Sequence, residues 1–266
     1  MANRVRVIML VVAAIVAPPS VDAAAVQRGT QSWPKAKIPY HIDSKLLKLA
    51  DAKGRDCKGW SHWSSQTQAY KACKAMSEWQ QATGVQFVTA GERLDTLNII
   101  GSQTATNATL GYLPIGNIMQ IEAKASYGAV LHEFGHVLGL MHEHQRPDRN
   151  QYLTLSPFLQ NDLDHCGLSL SAVCNDVRVA FPVVKVQMSS AYDPCSIMQY
   201  LSDQTPRHRE DSRWSHIFSL TDAGKFALQA CLPQFYNLPS HCQKAGQKCA
   251  ISRNDALIVR RFEELQ

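Results

Sequence analysis

The chain has 266 residues, 18% of them charged, and a net charge of +5. Its basic residues are scattered, with Arg207, His208 and Arg209 the densest cluster. That pattern excludes a nucleic-acid footprint and reads as a solvated surface. Downstream of the N-terminal stretch nothing is apolar enough to span a bilayer, so no stable membrane insertion is expected.

The chain opens with basic Arg4 and Arg6, then an apolar run from Val7 to Ala17, then small residues through Ala25. A basic start, a short apolar run and an A-x-A-like site predict a signal peptide over residues 1–25, cut near Ala23 to Ala25. The expected destination is outside the cell, in the medium or a periplasm. About 240 residues remain, enough for one enzyme-sized domain. The eight cysteines are Cys57, Cys73, Cys166, Cys174, Cys195, Cys231, Cys242 and Cys249. An even number behind a leader predicts disulfides, and the lack of any C-x-x-C argues against a cysteine zinc site. The short separations Cys166–Cys174 and Cys242–Cys249 predict two local staples.

Trp33 to Ile42 reads as extended because its prolines bar a helix interior. Lys45 to Ala52 reads as a helical turn. Ala69, Ala72, Cys73, Met76 and Trp79 recur at helical spacing, predicting a helix over 66–82 that ends at Thr83-Gly84. Strands are predicted at 85–88, 97–100, 110–115 and 118–121. Residues 156–164 read as helical behind Ser156-Pro157, while 166–190 resist assignment. A late helix is predicted over 219–231, with Ser219 or Thr221 as N-cap. Residues 231–249 read as a stapled loop, and 255–265 as a last short helix or strand.

The pattern H-E-x-x-H-x-x-G-x-x-H occupies residues 132–142. His132 and His136 stand four apart, so both imidazoles leave one helix face. Glu133 is rotated off that axis and suits a base better than a ligand. Gly139 can take a positive φ and end the helix. The chain then turns back to offer His142. Three nitrogens leave an open position for water, the mark of a catalytic zinc site. Such a pattern arises by chance on the order of once in ten thousand chains of this length. One Zn2+ per chain is therefore expected.

The motif resembles the metzincin proteases, and its continuation Glu143, Arg146, Asp148 resembles the astacin family. Tyr192-Asp193-Pro194-Cys195-Ser196-Ile197-Met198-Gln199-Tyr200 is similar to that family's Met-turn. Weaker similarities run from Trp33-Pro34 and Ile38-Pro39-Tyr40 through Ala75-Met76 and Trp79 to Phe218–Asp222. The resemblance implies an α+β metzincin-type fold. It has a twisted, mostly parallel sheet with an antiparallel edge strand, two long helices in the N-terminal half, and an irregular C-terminal half with one late helix. It implies a catalytic domain over 26–231 with a cysteine-containing extension, 232–266, packed on it.

The implied activity is zinc-dependent hydrolysis of peptide bonds in protein or peptide substrates, by a monomer. Glu133 would activate the zinc-bound water, and Tyr200 would be a further zinc ligand able to bind the tetrahedral intermediate. Met198 would floor the metal site, and Glu143 would pair with a buried mature N-terminal region. The substrate would lie along Leu110, Gly111, Tyr112 and Leu113. Arg207 and Arg209 would favour acidic residues just after the scissile bond. Two rivals are a zinc-stabilised binding or adhesion protein and a different zinc amidohydrolase. The first predicts a lost ligand; the second lacks a third His and a Met-turn.

Departures from the family's pattern concern the scaffold. Gly84 stands where a cysteine is usual, so Cys231 must pair elsewhere or stay free. Gln199 replaces a His. Only a few residues separate the leader from Trp33, which leaves no room for an ordinary propeptide.

Overall fold

The structure, a computed structural model, describes residues 24–264 apart from 55, 92, 167–173, 175–179, 190 and 201–216. Strand β1 is Ala25–Gln27, and β2 is Lys37–Ile42, entered through a 3-10 turn at Pro34–Ala36. Helix α1, Ser44–Leu49, leads to α2, Gln68–Thr83. Then follow β3 (Gln86–Thr89), β4 (Leu97–Ser102), β5 (Asn107–Ala108), β6 (Ile118–Glu122) and helix α3 (Tyr127–Val137). The main sheet has the order β3-β2-β4-β6-β5. Its first four strands run parallel, and β5 is an antiparallel edge.

Helix α2 starts where the Thr67 side chain accepts the Tyr70 N–H and stops at Gly84, whose φ is 83°. A left-handed residue there suits glycine, which has no Cβ to clash. The buried face of α2 is the one its spacing predicts: Ala69, Ala72, Cys73, Met76 and Trp79. These side chains join Ile38, Ile42, Leu97, Ile99 and Met119 of the sheet and Val130, Leu131, Phe134 and Val137 of α3 in one core. Trp79 Nε1 donates to Leu131 O at 3.0 Å, tying α2 to the metal-motif helix.

The second half is made of shorter pieces. They are α4 (Arg149–Tyr152), β7 (Leu153–Leu155), α5 (Pro157–His165), β8 (Val186–Ser189), β9 (Phe218–Leu220), α6 (Asp222–Cys231) and α7 (Arg253–Glu263). Strands β7 and β9 pair antiparallel, and β8 pairs antiparallel with β1. A smaller core gathers Leu153, Leu155, Leu159, Phe181, Tyr192, Ile217 and Phe218.

Several expectations are corrected. Residues 110–115 are not a strand; the edge strand is Asn107–Ala108. Gly111 has φ 64°, and its N–H donates to His136 O at 2.8 Å, which pulls the chain out of the sheet. Cys231 is not free: it pairs with Cys195. The expected Cys166–Cys174 and Cys242–Cys249 bonds are present, and Cys57–Cys73 makes a fourth. Residues 255–265 resolve as helix, not strand, because Ser252 and Asp255 form a reciprocal capping box at the start of α7. Ile258, Val259 and Phe262 enter the main core. Ala24 and Ala25 are both buried, and Ala25 begins β1.

Candidate metal centre

Ser126 starts α3 by accepting the Ala129 N–H, and the helix then carries His132, Glu133 and His136. It ends at Leu138, and Gly139 (φ 90°) turns the chain back. A Cβ on Gly139 would also run into the Phe262 ring, so both space and conformation call for glycine. The returning segment brings His142 to the helix face. His142 Nε2 stands 3.2 Å from His132 Nε2 and 3.1 Å from His136 Nε2. Ligands about 2.05 Å from a tetrahedral zinc are about 3.3 Å apart, so this spacing fits a zinc ion.

The outward nitrogens support the same assignment. His132 Nδ1 lies 2.7 Å from Ile197 O, and His136 Nδ1 lies 2.7 Å from Leu140 O. A carbonyl only accepts, so each Nδ1 carries the proton and each Nε2 keeps its lone pair for a metal. Burial drives the His132 and His142 imidazoles well below their usual range and His136 down to about 4. Neutral imidazole is the ligating form.

Glu133 is 9% exposed. Burial pushes its carboxyl up to about 8, opposed by Lys248 and the Ala108 backbone amide. Gly135, one turn along α3, faces Met198: a Cβ there would meet Met198 Sδ. Met198 is fully buried, with its sulfur against this face of α3. The Tyr200 ring sits 4.5 Å from that of His142 and 6.5 Å from that of His132. Burial, with Glu133 nearby, pushes its hydroxyl up to about 12.

Glu143 is fully buried, and its carboxylate oxygens accept no hydrogen bond. Its nearest cation is Arg146, with Nη1 at 3.4 Å. The Arg146 fork is otherwise occupied by Asp148, with Nε to Oδ1 at 2.9 Å and Nη2 to Oδ2 at 2.8 Å. Burial pushes Glu143 up to about 8, Arg146 opposes this, and Asp193, Asp255 and Asp148 add to it.

Leu110 to Leu113 lie beside α3 but not as an open strand edge. The N–H groups of Gly111, Tyr112 and Leu113 donate to His136 O, Gln31 O and Asn117 Oδ1. Those three amides are therefore already paired within the chain. Arg207 and Arg209 fall outside the described residues.

Two residues escaped the sequence reading. His144 is buried between the rings of His142, at 5.1 Å, and Tyr200, at 4.1 Å. Lys248 Nζ reaches Ile197 O at 2.5 Å and Gln199 O at 3.1 Å. His144 had a detectable signal, its place inside the extended motif. Lys248 had none, being one lysine in a cysteine-rich tail.

Comparison with known proteins agrees with this geometry. The human "Tolloid-like protein 2" is 32% identical over 142 residues, covering 52% of this chain and 12% of that protein. The "Astacin-like metalloprotease toxin 2" of Loxosceles intermedia is 32% identical over 84 residues, covering 31% of this chain and 33% of that protein. This chain thus matches only a small part of such relatives. Among solved structures, the hatching enzyme zinc-protease high choriolytic enzyme 1 of Oryzias latipes superposes with a TM-score of 0.55 at 17% identity, covering 88% of this chain and 94% of that one. Myroilysin gives 0.52 at 19% identity, covering 89% and 97%. At those identities the likeness is one of fold. The peptidase family described as Astacin matches residues 25–212, a span holding the three histidines, Glu133, the Met-turn and Tyr200. The chain belongs to the astacin family.

Proposed function

We propose that this protein is a secreted zinc endopeptidase that hydrolyses peptide bonds with Glu133 as general base. The observation that carries the reading is the convergence of three imidazole Nε2 atoms, 3.1 and 3.2 Å apart, beside a buried carboxyl. Zinc held by His132, His136 and His142 would supply a Lewis acid that lowers the pKa of water to about 7. Glu133, buried next to His132 on the same helix, would take a proton from that water and hand it to the leaving amine. Tyr200 would donate a hydrogen bond to the oxyanion developing on the scissile carbonyl, and would help hold the metal at rest. The substrate passes beside Leu110 to Leu113, touching side chains and carbonyls; Leu113 is 42% exposed there.

We further infer that signal-peptide cleavage ahead of Ala24 sets the mature N-terminus, and that Glu143 receives the new amino group. Two observations support this. The Ala25 carbonyl accepts the Met141 N–H at 3.0 Å, close in sequence to Glu143. The Glu143 carboxylate is buried without a hydrogen bond, and Arg146 at 3.4 Å, shared with Asp148, matches its charge only in part. N-terminal sequencing of the secreted protein tests it; a cut beyond Trp33, or a retained prosegment, rejects it.

Casein digestion with and without a zinc chelator tests the activity. Cleavage that the chelator abolishes and added zinc restores is expected. Intact casein under all conditions would move the assignment to a zinc-stabilised binding protein.

A further inference from the structure

We propose that Lys248 is a positioning residue for the metal centre, holding His132 in its ligating orientation through the carbonyl of Ile197. The proposal rests on the reading of His132, His136 and His142 as a zinc site. Residue 248 lies beyond the segment that matches the family, inside the loop closed by Cys242–Cys249. Its side chain nevertheless reaches the metal site. Nζ donates to Ile197 O and Gln199 O, the carbonyls on either side of Met198. Ile197 O also lies 2.7 Å from His132 Nδ1, and Lys248 Nζ is itself 2.9 Å from that nitrogen, so lysine, carbonyl and imidazole form one mutual contact.

The two helix-borne ligands differ in how their orientation is secured. His136 Nδ1 is held by Leu140 O, four residues away in the same turn. Its acceptor is therefore placed by local backbone geometry. His132 Nδ1 is held by a carbonyl 65 residues away, in a segment with no helix or strand. A carbonyl in such a segment has nothing regular to aim it. Lys248 supplies the missing aim, and the residues around it lace the same segment. Gly246 N–H donates to Pro194 O at 2.8 Å, and Gln247 Nε2 to Cys195 O at 2.9 Å. Asp255 accepts from Ser196 Oγ at 2.6 Å and from Ile197 N–H at 2.9 Å.

The backbone is committed as well. A Cβ on Gly128 would strike Lys248 O, so the first turn of α3 rests directly on this residue. A methionine could pack in the same channel. A buried amino group is retained at a desolvation cost unless its hydrogen bonds do something a thioether cannot. Partners that orient a ligating histidine raise metal affinity about 10–100-fold.

The test is zinc affinity, measured on the full secreted chain by competition with a chromophoric chelator. Wild type, Lys248→Met and Lys248→Gln are compared, with cobalt substitution and visible spectroscopy reading ligand geometry. Lys248→Met is expected to bind zinc about tenfold more weakly and to shift the cobalt d–d bands, while melting in chelator near wild type. Lys248→Gln, which keeps an N–H donor, is expected to recover part of the loss. Zinc binding by Lys248→Met as tight as wild type, or tighter, overturns the proposal. So does a fall in metal-free stability that accounts for the loss in both variants, because the lysine would then be structural. Failure of wild type itself to bind zinc would instead reject the metal site.

Discussion

The half of the molecule before Leu140 and the half after it reach order by different means. Before it, a five-stranded sheet and two helices bury a shared core, and backbone hydrogen bonds within regular elements hold the chain. Among the described residues after it, the strands are Leu153–Leu155, Val186–Ser189 and Phe218–Leu220, too short to organise a core alone. Three of the four disulfides lie there: Cys166–Cys174, Cys195–Cys231 and Cys242–Cys249. The candidate metal site lies on the seam. His132 and His136 come from the regular half, where helix geometry places them. His142, Met198 and Tyr200 come from the irregular half, where buried polar side chains and covalent links must do the placing. Repetitive backbone positions a ligand through spacing; an irregular segment positions one only if something else grips its carbonyls and amides.

Four experiments press on that contrast. The largest effect belongs to the chemistry at the seam. Glu133→Ala should lower peptide hydrolysis by about 10²–10⁴-fold while zinc content, read by elemental analysis, stays at wild type. Tyr200→Phe should lower turnover by about 10²-fold with zinc retained. Full activity in either variant would remove that residue from the mechanism.

Next come the disulfides. Cys195→Ala with Cys231→Ala opens a bridge of sequence separation 36 and should cost about 4 kcal/mol. Cys57→Ala with Cys73→Ala opens one of separation 16 and should cost about 3 kcal/mol. The sharper expectation is in zinc affinity. It should fall only for the first pair, because Cys195 lies in the segment that orients His132. Equal zinc affinity in both would break the contrast between the halves.

Gly128→Ala probes where the halves touch. The added Cβ meets the Lys248 carbonyl, which cannot rotate away, so about 1–3 kcal/mol should be lost in thermal melts. An unchanged melting temperature would mean the two halves meet more loosely.

The smallest effect is a pH dependence at α7. Burial pushes the Glu263 carboxyl up to about 8, with the Trp33 backbone opposing. The folded state therefore holds a proton that the unfolded chain releases near pH 4.5. Stability from this group is full below that pH and declines as pH rises toward 8. Glu263→Gln should flatten the decline and melt a few degrees above wild type at about pH 8.5. A variant that tracks wild type at every pH would reject the cause.

The regular half was largely legible. The helical spacing of Ala69 to Trp79 marked α2, and three of the predicted strands lie within two residues of the observed ones. The failure at 110–115 is instructive. Alternating Leu110, Tyr112 and Leu113 resemble a strand, but Gly111 turns the chain onto His136 O, a partner no local pattern reveals. Downstream, the capping pair Ser252 and Asp255 was readable in principle, yet its deeper use was not. Asp255 caps α7 and also holds Ser196 and Ile197.

By itself the sequence marked the candidate metal ligands. Two histidines four apart, a glutamate between them and a third histidine past a glycine constrain one another through helix geometry, which is local. It determined the regular elements for the same reason, since periodic burial depends on neighbours within a turn or a strand. Only the tertiary structure decided how Cys195 finds Cys231, and why residues 246–255 wrap the Met-turn. It alone showed that a lysine from the tail reaches the carbonyl on which His132 rests. Those contacts join residues far apart in sequence, and their energy depends on burial that no local window contains.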